Sequence, residues 1–164
     1  MIHGVLSRII RRHGGDILAS PRMAAEKRFM QHGTVSCYEH SLRVAEKSVA
    51  IAGHMPFPVN ERALVRGALL HDYFLYDWHE KDKSHRWHGF HHAGCALENA
   101  TRDFSLSLLE RDIIKKHMFP LNLCLPRYRE SWIVCLADKC CAIEEIFARK
   151  PGAGRGNGKG KKKC

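Results

Sequence analysis

Three features place chemistry-bearing side chains where a folded chain ordinarily puts apolar ones. His71 and Asp72 are adjacent at the end of the apolar stretch ALVRGALL, His40 lies in EHSLRVAEKS, and Asp138 interrupts WIVCLADKCCAI. A carboxylate inside such a stretch is costly to bury unless a compensating charge sits beside it. A divalent cation is the partner that carboxylates and imidazoles can share, because both offer it lone pairs. Each residue alone is ordinary, since single histidines are commonly hydrogen-bonded core or surface groups. The joint pattern is what points to a metal site.

Helices must position these residues, because the helical period recurs almost throughout and the alternating period of strands is nearly missing. Ile2, Val5, Leu6, Ile9 and Ile10 predict a short amphipathic helix ending at Gly14-Gly15, and Ser20-Pro21 predicts a second that runs to about His32-Gly33. Ser36 with Glu39 forms a capping box for a helix through Leu42, Ala45, Val49 and Ala52 to Gly53, with His40 in its first turns. After Pro56 and Pro58, Asn60 caps a helix whose buried side, Leu64, Val65, Ala68, Leu69 and Leu70, delivers His71-Asp72. A loop rich in histidine and aromatic residues precedes a helix from about His92 to Ala100. Ser107 and Glu110 make a second capping box, for a helix that carries His117 in its last turn and stops at Pro120. A final helix, about Arg129 to Phe147, has Trp132, Ile133, Leu136, Ile143 and Ile146 as its expected apolar face and Asp138 in its middle. The expected fold is all-α: a single-domain helical bundle with the site between its central helices.

The order His40, His71-Asp72, Asp138 in helical settings, with the flanking words EHSLRVAEKS, GALLHD and CLADK, resembles the HD superfamily of metal-dependent phosphohydrolases. The resemblance covers about residues 25–148, with a helical segment over 1–24 and a basic tail over 149–164 on either side. HDYFLYDWHE, HGFHHAG and KKHMFPL are similar to a bacterial branch of that superfamily. The resemblance implies a metal ion on His40, His71, Asp72 and Asp138. Its dinuclear members add two histidines between the HD pair and the last aspartate, which implies a second ion on Asp72, His92 and His117. The related branch has proline after the third histidine where this chain has Ala93, so His88 and His91 compete with His92 for that place.

The implied activity is hydrolysis of a phosphomonoester, a phosphodiester or a nucleotide by metal-activated water, since a bound divalent cation lowers the pKa of its water from about 15.7 towards roughly 7. Mixed imidazole and carboxylate ligation suits Mn or Fe, then Zn, Co or Ni, better than Mg or Ca. Asp72 is the bridging carboxylate in this reading, Asp77 with His79 is a candidate proton relay, and Lys139, Arg28 and Arg86 are candidate phosphate contacts. The partner is then a small phosphorylated substrate, with nucleotides among the candidates; Trp78, Trp87 and Phe90 give a weak hint of base stacking. Two alternatives stay open: a di-iron oxygenase of the same superfamily, and a non-catalytic metal- or nucleotide-binding helical module.

Composition narrows the class. The chain of 164 residues has 27 basic and 17 acidic residues, net +10, but seven basic residues and no acid lie from Arg149 onward, which leaves +3 for residues 1–148. A basic, glycine-rich tail suits weak polyanion contact through counterion release, and it does not make the body a nucleic-acid binder. Seven cysteines in no CxxC pattern read as reduced thiols of a cytoplasmic protein, and Cys140-Cys141 as helix filler. No apolar run approaches the ~18 residues that cross a bilayer, so no membrane partner is expected.

Overall fold

The computed structural model describes residues 2–32, 34–75 and 88–148. Their elements are α1 (Ile2–Leu18), α2 (Pro21–Ala25), a 3-10 turn (Glu26–Arg28), β1 (Met30–His32), β2 (Val35–Ser36), α3 (Cys37–Ala52), α4 (Glu61–Leu70), α5 (His88–Asp103), α6 (Leu108–Lys116) and α7 (Arg129–Phe147). Among the described residues the fold is all-α but for one small antiparallel hairpin, in which Met30 faces Ser36.

Both capping boxes form. The Ser36 hydroxyl accepts from the Glu39 amide at 3.3 Å while the Glu39 carboxylate accepts from the Ser36 amide at 3.0 Å. Ser107 and Glu110 repeat the exchange at 3.2 and 2.6 Å. Asn60 caps α4 through the Ala63 amide at 3.0 Å. Each such cap contributes about 1 kcal/mol and fixes where its helix begins.

α4 is the central helix, buried on all sides from Ala63 to Leu70, and α1, α3, α6 and α7 pack around it. Ile17, Val44, Leu64, Leu69, Ile113 and Val134 join one continuous core drawn from these helices. Two glycines set the approach distances. A Cβ on Gly67 would meet three atoms of Ile113 at 2.6 to 2.8 Å, so α4 and α6 close together only because that atom is missing. The buried Arg66 guanidinium joins three helices, with Nη1 on Asp16 of α1 at 2.6 and 2.7 Å and Nε on Glu110 of α6 at 2.9 Å.

Four expectations are corrected. α1 does not end at Gly14-Gly15 but continues to Leu18, because Gly14 is a contact point; a Cβ there would lie 2.4 Å from a Leu69 methyl of α4. The second helix stops at Ala25 rather than near His32-Gly33. Tertiary partners override helical propensity there: Glu26 turns inward to accept the Leu75 amide, and Gln31 reaches Asp72 from the hairpin. α5 begins at His88 and runs to Asp103, past both expected ends. α7 has the expected bounds but is turned the other way: Trp132, Leu136, Ile143 and Ile146 are exposed, and of the expected apolar face only Ile133 is buried. The buried side carries Ser131, Val134, Asp138, Cys141 and Glu145 instead, since Asp138 and Glu145 must reach α3.

Candidate metal centre

Five helices each bring a donor to one buried point. His40 lies in the second half-turn of α3, fixed by the Ser36 cap; His71 and His117 are the C-caps of α4 and α6; Asp72 follows His71; His92 enters near the start of α5; Asp138 comes from the middle of α7. All six side chains are buried.

The two C-cap histidines are oriented in the same way. His71 donates from Nδ1 to the Ala68 carbonyl and His117 from Nδ1 to the Ile114 carbonyl, each at 2.8 Å. A carbonyl only accepts, so the proton sits on Nδ1 and the neutral ring presents the Nε2 lone pair to the cluster. This is the tautomer a metal ligand needs. His40 is held from its far side by Glu145, with Nδ1 donating to Oε2 at 3.0 Å, and its Nε2 lies 3.1 Å from Asp138 Oδ1.

Asp72 occupies the middle. Its Oδ1 is 3.3 Å from His92 Nε2 and 3.4 Å from His117 Nε2, while its Oδ2 is 3.4 Å from His71 Nε2 and 3.8 Å from His40 Nε2. One carboxylate thus divides four imidazoles into two pairs. His71 Nε2 also lies 3.6 Å from Asp138 Oδ1, and the Nε2 atoms of His92 and His117 approach to 2.9 Å. Gln31 steadies Asp72 by donating from Nε2 to Oδ2 at 2.5 Å, and its own carbonyl accepts from the Cys37 thiol at 3.4 Å.

Burial would depress the histidines, but the carboxylates oppose it. Asp138 and Glu145 hold His40 up to about 9 against that burial, and Asp72 with Asp138 keeps His71 well above its ordinary value. Burial prevails at His117, which is lowered. Asp72 and Asp138 are held well below the usual carboxylate range despite burial, by the surrounding imidazoles, so both are anionic at neutral pH. Beside them burial pushes Glu26 up to about 8, with Asp72 adding to the rise.

The donor set fits a cation. His71 Nε2 and Asp72 Oδ1 are buried without a hydrogen bond, an arrangement that is costly for polar atoms unless another group takes their lone pairs. Among the described residues three sets of donors lie with their ligand atoms within 4.8 Å of one another: His40, His71 and Asp72; His71, His117 and Asp138; Asp72, His92 and His117. The first, joined by Asp138, and the third are the two ligand groups that the resemblance implies.

The remaining candidates divide. Lys139 donates from Nζ to the His117 carbonyl at 3.0 Å and approaches the Cys135 carbonyl at 3.4 Å, so its ammonium braces the α6 C-terminus. Arg28 is exposed beside the Phe29 ring. Asp77, Trp78, His79, Arg86 and Trp87 lie outside the described residues, as do the side chains of His88, Phe90 and His91. Gln31, Glu145 and Glu26 were not foreseen. Glu145 had a signal, since it lies two helical turns after Asp138 and shares its face; Gln31 and Glu26 had none.

Among the described residues no helix is long and apolar enough to cross a membrane. The family model described as HD domain matches residues 37–143, from the first residue of α3 to the last third of α7, and spans all six candidate ligands. No curated protein and no solved structure matches the chain.

Proposed function

The chain belongs to the HD domain family, and from that premise we propose that it hydrolyses a phosphate ester or anhydride bond of a small phosphorylated substrate with the aid of two divalent transition-metal ions. The observation that carries this reading is the position of Asp72, whose two oxygens face separate histidine pairs.

His40, His71, Asp72 and Asp138 would hold one ion and Asp72, His92 and His117 the other. When bound, such ions lower the pKa of water towards roughly 7 and offset the charge that builds on phosphate oxygens. The protein's own groups do the rest. Glu145 and the carbonyls of Ala68 and Ile114 hold three imidazoles with Nε2 towards the cluster, so loading has to displace the Nε2 protons of His40 and His71 but need not turn the rings. Asp72 and Asp138 bring two negative charges, fewer than two divalent cations carry, which leaves the centre net positive towards a phosphate anion. We assign Lys139 to the reaction through the His117 carbonyl that it holds, and Asp77 to proton transfer at the leaving group. The nitrogen and oxygen donors favour Mn or Fe. Cys37 is not a competing ligand, because burial raises its thiol pKa and Gln31 accepts its proton.

Elemental analysis of the purified protein, with a phosphatase and phosphodiesterase panel run anaerobically with added Mn, tests the proposal. Turnover and bound metal are expected, both lost in Asp72→Ala while far-UV circular dichroism is kept. Full activity in Asp72→Ala would refute it, and turnover that requires oxygen and iron would transfer the site to an oxygenase.

A further inference from the structure

The outward face of α7 is apolar and has no neighbour among the described helices. Trp132 is 44% exposed, Leu136 53%, Ile143 55% and Phe147 81%. At ~100° per residue these four lie within a sector of about 60°, with Ile146 on its flank. The helix needs no such stripe to hold its place, because it packs on α3, α4 and α6 through its opposite side.

The stripe has an internal symmetry. Its residues are spaced by four, seven and four positions, so it reads alike from either end about a midpoint between Lys139 and Cys140. A second α7 laid antiparallel across that midpoint would set Trp132 on the partner's Phe147 and Leu136 on the partner's Ile143. An isologous contact requires this of a surface, that it complement itself under a two-fold rotation. Lys139, next to the midpoint, does not oppose the pairing, since its Nζ is turned back to the carbonyls of His117 and Cys135.

The size is also right. With roughly 150–250 Å² for each large side chain, the exposed fractions on α7 leave on the order of 500 Å² of apolar surface. Three exposed leucines of the preceding connection, Leu121, Leu123 and Leu125, enlarge this. Phe119 carries that connection onto α7 by an edge contact with Trp132, ring centroids 5.3 Å apart. The total approaches the ~800 Å² per partner of a standard interface. A single-chain surface seldom exposes so much in one patch.

We infer that this face is a homodimer interface, in which α7 of one copy pairs antiparallel with α7 of a second copy of this chain. The interface lies on the side of α7 opposite Asp138, so pairing leaves the metal centre untouched.

Sedimentation velocity on the full chain at micromolar concentration tests the inference. The wild type is expected to sediment as a dimer, and Leu136→Glu/Ile143→Glu as a monomer with unchanged helicity, its self-association weakened about a hundredfold or more because each substitution enters the contact twice. The register is read separately by Leu136→Cys/Ile143→Cys, which should cross-link two chains on mild oxidation far more than either single variant. A monomeric wild type overturns the inference, as does a dimer that the glutamate variant leaves intact. Cross-linking no greater in the double cysteine variant overturns the antiparallel pairing. A stripe covered by another part of the same chain would show as the first of these outcomes.

Discussion

His40 and Glu145 are joined through the far side of the imidazole: Nδ1 meets Glu145 Oε2 at 3.0 Å while Nε2 faces the cluster. A carboxylate here both selects the tautomer and makes the ring a better donor, and losing such a partner typically weakens metal affinity by about 10–100-fold. Glu145→Ala should show that loss in chelator competition. Glu145→Gln, which keeps an acceptor but no charge, should fall between it and the wild type. Equal metal retention in all three proteins would mean that Glu145 does not tune His40 as a ligand.

Asp72 divides two pairs of histidines, so the pairs should be separable by metal content. His92→Ala and His117→Ala should lower bound metal from two ions per chain towards one, the residual ion staying on His40, His71, Asp72 and Asp138. Elemental analysis after dialysis measures this. A wild-type content of one ion that both variants leave unchanged would confine the chain to a single ion, and two ions retained in both would remove His92 and His117 from the ligand set.

Glu26 should make the metal-free protein less stable as pH rises. Its carboxyl is held up to about 8 in the fold, against 4.5 when unconstrained. The folded state therefore binds the proton more tightly than the unfolded one, and this contribution to stability is full below about 4.5 and lost as pH climbs through about 8. His40, raised to about 9, acts in the same direction over a higher range. Urea midpoints of the stripped protein across this range should decline with pH, and Glu26→Gln should flatten the part of the decline that lies below about 8. A Glu26→Gln profile parallel to the wild type would show that the Glu26 proton does not differ between the two states.

Gly67→Ala should destabilise the protein although alanine is the better helix former. The propensity gain is about 1 kcal/mol at most, whereas forcing a methyl into a packed contact costs about 1–3 kcal/mol. The new Cβ would meet Ile113 backbone-proximal atoms at 2.7 and 2.8 Å, which cannot swing away as a side-chain tip can. In an Ile113→Ala background, which removes Cγ2 and Cδ1 but keeps Cβ, the penalty should shrink, and a double-mutant cycle by chemical denaturation would report the coupling. Additive effects would place the crowding elsewhere.

Much of the site was legible along the chain because its determinants are local. Ser36 with Glu39, Asn60, and Ser107 with Glu110 state where three helices begin, and those starts set the phase at which His40, His71-Asp72 and His117 emerge. Polar residues that interrupt apolar runs then stand out, as His71-Asp72 and Asp138 did. What tertiary structure alone decided is of another kind. Gly14 looked like a stop and is a contact, since only the facing Leu69 reveals that its missing Cβ matters. Glu26 and Gln31 sat in a helical pattern that yields to a 3-10 turn and a hairpin, because their partners, the Leu75 amide and the Asp72 carboxylate, are more than forty positions away. α7 shows the difference most plainly: periodicity gave its ends but pointed to the wrong face, and the requirement that Asp138 and Glu145 meet His40 chose the more polar one for burial. The strongest apolar stripe was left outside because a buried charge pair that loses its partner costs more than exposed leucine or isoleucine does.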